Sequence, residues 1–275
     1  MAVVDEHREG RIAWLTIDAP PCNVMTREVF VALLQAGEAL GADPDLTVVV
    51  LQSADPDFFL AHFDVELLLA SPMDRPVVRG EALNAFDTMC ERFRTMDKVT
   101  IAKIAGRVGG GGAELSLACD MRYGALERAV VNQMEVPIGI IPGGGATQRL
   151  PQRIGWGRAM ELIAGGVDLD AATGERWGWF DRALPADELD AFVDGLARRI
   201  ASFPPDAVRH AKAAMLAGVP DHTEGLLTES HHFDQTMAGA SSRAAMQRFL
   251  ELGGQTRAGE LIVDQIAARA APEPS

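Results

Sequence analysis

Cysteine is scarce in this chain. Cys22, Cys90 and Cys119 are the three present in 275 residues. They form no CxxC and no paired spacing, which excludes a disulfide framework and predicts buried free thiols in a reducing compartment. Positive charge is also short. Lys and Arg number 25 against 39 Asp and Glu, a formal net charge of −14, whereas a nucleic-acid surface needs a basic excess. An anionic small ligand stays compatible with that balance, because a local cluster of cations suffices to hold it. No apolar run approaches the length of a membrane span. The opening Met1-Ala-Val-Val-Asp-Glu-His lacks the basic start and apolar centre of a signal peptide. His231-His232 has no third ligand at metal spacing, so it reads as a helix surface and no metal site is expected. There is no internal repeat, and the one biased tract is the closing Ala-Pro-Glu-Pro-Ser, expected to be disordered. The expectation is a soluble cytoplasmic protein with no nucleic-acid or membrane partner.

What is present is ordinary globular material, 48% hydrophobic and 23% charged, enough for one large α/β domain or for a core with a small helical domain after it. Arg11–Ile17 alternates and is rich in Ile, Trp and Thr, as an opening strand should be. Thr26 is a plausible N-cap for a helix over Arg27–Leu40 with Val29, Leu33 and Leu34 on one face. Leu46–Leu51 is a short continuous apolar run, the mark of a strand buried on both faces. Helical spacing over Gly80–Met96 and a strand over Thr100–Ile104 follow. Strands alternating with helices imply a wound, mainly parallel α/β core. After Pro151 the pattern turns helical through 157–164, 171–178, 188–201, 204–216 and 243–252. The organisation expected is an α/β core over 1–200 and a C-terminal helical region over 201–275.

Two segments carry chemistry. Residues 109–114 read Gly-Gly-Gly-Gly-Ala-Glu and run straight into Leu-Ser-Leu-Ala-Cys-Asp; Gln133-Met-Glu-Val-Pro-Ile-Gly-Ile-Ile-Pro-Gly-Gly-Gly-Ala-Thr-Gln-Arg-Leu150 follows. Consecutive glycines leave backbone N–H groups open to close approach by a ligand atom. The helix start just beyond them favours developing negative charge. Each segment also holds one acidic residue, Glu114 and Glu135. Backbone donors for an oxyanion and two carboxylates for proton transfer describe an enolate-forming acyl site. Alone, Glu114 reads more plainly as a first-turn acid complementing the helix dipole. Glu135 sits among Val136, Ile138, Ile140 and Ile141, and a buried glutamate with no cation beside it calls for a reason.

These two blocks in this order, with Val48–Leu51 and Phe59–Leu67 upstream, resemble the crotonase, or enoyl-CoA hydratase/isomerase, superfamily. The resemblance runs from Gly10 to about residue 220. It implies the βαβ superhelical core of that family with a C-terminal helical region, an acyl-coenzyme A thioester as substrate, and no cofactor beyond the coenzyme A that the substrate carries. By position, the two catalytic glutamates are Glu114 and Glu135, and the oxyanion donors are the N–H groups of Phe63 and Gly111. The substrate surroundings implied are Ala61, His62, Asp64, Gly110, Pro142 and Gly143. The activity implied first is enoyl-CoA hydration. Double-bond isomerisation by Glu135 alone and non-catalytic acyl-CoA binding stand as alternatives.

The sequence departs from the family at several points. His62 stands where a small residue is usual, and Met134 where proline is common. Ala19-Pro-Pro-Cys-Asn23 lacks the basic residue that often grips the nucleotide end of coenzyme A, which leaves Arg27, Lys98 or Arg257 for that task. Phe58, Phe59 and Phe63 are a short aromatic stripe, readable as core or as channel wall. The resemblance implies trimers or hexamers. The apolar residues Leu162, Ile163, Trp177, Trp179, Phe192, Leu196, Phe249, Leu250, Leu261 and Ile266 look like more helix surface than a small tail can bury on itself.

Overall fold

The computed structural model describes residues 3–72 and 76–271. Strands β1 (Val4–Glu9) and β2 (Ile12–Ile17) form an antiparallel hairpin, and α1 (Arg27–Ala42) follows. The chain then repeats one motion three times. A long strand is laid into one sheet, a short strand into a second, and a helix leads back. The pairs are β3 (Val48–Ser53) with β4 (Phe58–Leu60), β5 (Val99–Ile104) with β6 (Arg107–Gly109), and β7 (Met121–Ala125) with β8 (Val130–Asn132). Helices α2 (Val65–Ala70) and α3 (Ala85–Thr95) follow the first pair, and α4 (Gly110–Ala118) the second. Next come α5 (Ala146–Ile154), α6 (Trp156–Gly165), β9 (Leu169–Asp170), α7 (Ala171–Trp177) and β10 (Arg182–Leu184). The larger sheet has the order β1-β2-β3-β5-β7-β10 and is parallel except at β1; the smaller runs β4-β6-β8-β9 with β9 antiparallel.

The parallel strands are covered on both faces, which is why they read as apolar runs. Ala13, Leu15, Ile17, Val49, Leu51, Ala102 and Ile104 turn inward to the core that encloses α4. Their sequence neighbours Ile12, Trp14, Val48, Val50 and Ile101 turn the other way, onto Leu189, Val193 and Ala197 of α8 (Leu189–Ala201). Every residue of α4 is buried. The chain ends in α9 (Pro205–Leu216), α10 (Thr223–Met237), α11 (Ala240–Glu251), α12 (Arg257–Glu260) and α13 (Val263–Ala270). Met237, Met246, Phe249, Val263 and Ile266 of this end form a second apolar cluster with Val65, Met134, Ile138 and Ile140.

The elements that periodicity predicts are found close to their expected positions, and Thr26 caps α1 by accepting the Val29 N–H. The short strands β4, β6, β8 and β9 and the helices α2 and α10 have no counterpart among them. Three expectations need correction. The expected opening strand is the second one, β2, because β1 before it is polar and almost wholly exposed and carries no apolar signal. The helix expected from Gly80 starts only at Ala85, because Asn84 caps it by accepting the Asp87 N–H, leaving 80–84 as a loop. The apolar helix residues do not form an outer surface: Leu162, Trp179, Phe249 and Ile266 are fully buried within the chain, and Phe192, Leu196 and Leu250 pack on its clusters. Of that set Leu261 is largely exposed. The end expected to be disordered lies outside the described residues except for Ala271.

Candidate active site

Helix α4 opens on glycine, and its N-cap, Gly109, offers no side chain to its first N–H groups. Those groups have no partner inside a helix either. Gly110 has φ +42°, and a Cβ there would stand 2.9 Å from His62 Cβ and 3.0 Å from Glu135 Oε1. A side chain would be strained and crowded at this position. The glycine thus lets three segments meet: the stretch after β4, the start of α4, and the turn holding Glu135.

Phe63 follows β4 and pairs with Met25 as an isolated parallel bridge. Met25 N–H donates to the His62 carbonyl at 2.8 Å. In a trans peptide C=O and N–H point opposite ways, so the Phe63 N–H is aimed away from Met25. Among the described residues it has no protein acceptor, and its nitrogen lies 3.5 Å from the point where a Gly111 Cβ would sit. Phe63 and Gly111 both line a cavity of about 390 Å3.

Both glutamates line that cavity. Glu114, three residues past Gly111 on α4, is 3% exposed, and its Oε1 accepts the Gly144 N–H at 2.7 Å and the Ala146 N–H at 3.1 Å. Glu135 is 7% exposed, in a turn closed by the Ile138 and Ile140 N–H groups on its own carbonyl. With its amide turned so that nitrogen faces the carboxylate, Gln133 donates to both Glu135 oxygens, at 3.2 and 3.0 Å. Burial raises Glu114 well above the usual carboxylate range, helped by the charges of Glu229 and Glu135 and opposed by the two backbone donors. Burial also lifts Glu135 to about 7, against its own N–H and the charge of His62. The walls are apolar and aromatic, with Phe86, Met134, Ile138, Ile140 and Phe233 among them.

The remaining sequence-selected positions divide. His62 and Gly143 line the cavity; Ala61, Asp64, Gly110 and Pro142 do not. Ala61 is buried against a separate small pocket. The Asp64 carboxylate turns back to accept the Glu66 N–H and caps α2, which satisfies a helix-end donor and takes it out of the site. Phe58 and Phe59 are core, whereas Phe63 stacks edge-on to Phe30 and Phe86 at the cavity. His231, read as helix surface, lines the cavity with Ser230 and Asp234. Of the cations considered for phosphates, Lys98 is buried and bonded to Asp97 and the Gly41 carbonyl. Arg257 is held by Asp55 and Asp57. Arg27 is exposed at the first turn of α1.

Three buried carboxyls escape the sequence reading, among them Asp87, which accepts from Asn84 and from the Ser230 hydroxyl. Glu229 of α10 accepts the Gly145 N–H at 2.5 Å, the Thr147 N–H at 2.9 Å and the Thr147 hydroxyl, so it and Glu114 divide the donors at the start of α5. It stands on the apolar stripe of Leu226 and Phe233, and a charge on such a stripe is the signal that marks it. Glu260, 2% exposed, meets His62 across 198 residues of chain and has no local signal.

The profile of the enoyl-CoA hydratase/isomerase family matches residues 7–256. The chain is 30% identical over 247 residues to echA8 of Mycobacterium bovis, a candidate enoyl-CoA hydratase, covering 89% of this chain and 93% of that one. It is 28% identical to the short-chain-enoyl-CoA hydratase of Clostridium acetobutylicum, over 89% of this chain and 93% of that protein. A candidate enoyl-CoA hydratase from Streptomyces avermitilis has a solved structure that superposes with a TM-score of 0.88 at 36% identity, over 98% of both chains. The spiral of paired strands, the glycine-led helix and these relatives together mean that the chain belongs to the enoyl-CoA hydratase/isomerase family.

Proposed function

We propose that this protein adds water across the double bond of a 2-enoyl-CoA thioester. One observation carries the reading: Glu114 and Glu135, both buried, line the same cavity as Phe63 and Gly111, the two residues whose N–H groups would hold the thioester oxygen. The thioester oxygen accepts from both N–H groups, which gain strength as that oxygen becomes an enolate oxygen, the useful kind of binding. Water held between the glutamates gives a proton to Glu114 as its oxygen bonds to the β-carbon. The π pair moves toward the carbonyl, and the enolate forms. Glu135 then gives its proton to the α-carbon, the carbonyl reforms, and the proton on Glu114 restores Glu135. One water is consumed and both carboxyls are reset. The apolar walls keep other water out and lift Glu135 to about 7, so that it exchanges a proton near neutral pH.

The chemistry needs no cofactor beyond the coenzyme A of the substrate. We place the protein in the cytoplasm on the strength of its three buried free thiols. No described helix is long and apolar enough to cross a membrane. A homotrimer or homohexamer is proposed as the working assembly. Its support is an exposed pair four residues apart on α6, Trp156 at 73% and Met160 at 47%, a patch that water leaves unsatisfied. Light scattering at micromolar concentration tests this, and a mass of 29.5 kDa rules it out.

The activity test is loss of enoyl absorbance across a chain-length series of 2-enoyl-CoA thioesters, with 3-enoyl-CoA as the isomerase control. Glu114→Gln and Glu135→Gln should each abolish hydration while acyl-CoA affinity survives, since an amide keeps shape but exchanges no proton at neutral pH. Wild-type protein that isomerises but never hydrates, or a fully active Glu114→Gln, overturns the reading.

A further inference from the structure

His62 stands beside the oxyanion donor where the family usually has a small residue, and the hydration chemistry leaves it without a task. Its ring is fully buried, and both nitrogens are engaged. Nδ1 lies 2.8 Å from the Phe63 carbonyl and Nε2 lies 3.1 Å from Glu260 Oε1. A carbonyl only accepts, so Nδ1 carries a proton. Against burial, Glu260 is held low by His62 and by the Gln255 N–H that its Oε1 accepts at 2.7 Å; as a carboxylate it only accepts, so Nε2 carries a proton too, and the ring is an imidazolium. Gln255 reaches back as well, its Oε1 accepting the Val65 N–H at 2.6 Å. On the other side His62 meets Glu135 across Gly110, and the ring packs edge-on to Phe249 of α11 at 5.7 Å. The charged groups around the pair are thus Glu260 from α12, Glu135, and Arg107 of β6, with the Cys22 thiol behind Glu260.

We propose that the buried His62–Glu260 pair is a positioning device for the hydration step, holding the peptide that follows the Phe63 donor and facing Glu135, so that the end of the chain from α11 to α13 is part of the catalytic apparatus. The bond from Nδ1 to the Phe63 carbonyl fixes the peptide after Phe63, and the Met25 bond fixes the peptide before it. Together they set the direction of the donor N–H. Because the cation faces Glu135, it also favours that carboxylate, which restrains the rise that burial imposes. Burial alone would push His62 down, yet Glu260, the Phe63 carbonyl and Glu135 carry it upward. The inference rests on the hydratase reading of Phe63 and Glu135.

The test uses Glu260→Gln, His62→Gln and the double variant, each assayed for hydration against pH and for binding of a saturated acyl-CoA. A misplaced donor should cost each single variant roughly a hundredfold in kcat, with acyl-CoA affinity held within about twofold. The double variant should be no worse than either single one, since the two residues act as a unit. With the cation gone, Glu135 should keep its proton to higher pH, moving the alkaline limb of the rate profile upward. Wild-type kcat and limb position, or losses that multiply in the double variant, overturn the proposal. If the variants do not fold, 15N NMR of histidine in the wild-type protein decides. Both His62 nitrogens protonated near pH 7 is the expected result, and a neutral ring overturns it. Wild-type protein that hydrates no enoyl thioester removes the hydratase reading instead, and the NMR result still decides whether the ion pair exists.

Discussion

Gly111→Ala separates the fold from the chemistry with one carbon atom. At the first turn of α4, alanine is favoured over glycine by up to about 1 kcal/mol. The added methyl meets Phe86 Cζ at 3.2 Å and Phe63 Cβ and N at 3.5 Å. The first contact is slightly tight, and the end of a half-buried ring gives way by a few tenths of an ångström. Stability should therefore stay within about 1 kcal/mol of wild type. The enolate oxygen is less fortunate. It needs a place roughly 2.7–3.1 Å from each donor, and a carbon 3.5 Å from the Phe63 nitrogen crowds that place. Loss of one donor is worth about 3 kcal/mol of barrier, on the order of a hundredfold in kcat. Hydration kinetics beside a thermal melt measure both sides. The neighbouring Gly112→Ala is the contrast: its Cβ would land on the Leu60 carbonyl oxygen and 2.8 Å from Leu60 Cβ, so the backbone must shift and stability, not only rate, should fall. A Gly111→Ala protein with wild-type turnover would refute the oxyanion assignment.

Glu135→Gln should change stability in a pH-dependent way. The Glu135 carboxyl rises from an ordinary 4.5 to about 7 in the folded protein, so the folded state holds the proton more tightly. The stability this adds is fully present below about 4.5 and is lost as pH rises through about 7. The neutral amide has no such loss, so the variant should melt higher than wild type at about pH 8, with the gap closing toward pH 5; a constant difference across that range would count against the shift. Asp64→Ala should cost about 1 kcal/mol through loss of the α2 cap, read by chemical denaturation. Wild-type stability with collapsed turnover would return Asp64 to the site.

Much of the core was legible because its signals are local and repeat with the backbone. A strand buried on both faces must be apolar throughout, so β3 and β5 announce themselves in Val48–Leu51 and Thr100–Ile104. Thr26 marks the start of α1 by chemistry confined to three residues. The glycine run and Glu114 belong to one helix turn, and the apolar neighbours of Glu135 foretell its burial. The site also depends on contacts that no local pattern encodes. Asp64 looked like part of it, and only the folded backbone shows its carboxylate turned onto the Glu66 N–H. Glu229 reaches the start of α5 from more than 80 residues away, and Glu260 reaches His62 from nearly 200. The apolar stripes of the late helices announced burial correctly but not its partner, and that partner is chiefly this same chain. By itself the sequence determined where the long apolar strands and the amphipathic helices run and which of their residues must leave water, since both follow from repeats of two and 3.6 residues. The tertiary structure decided which buried groups face one another, because that depends on how the path of the chain closes over long separations, and no periodicity records it.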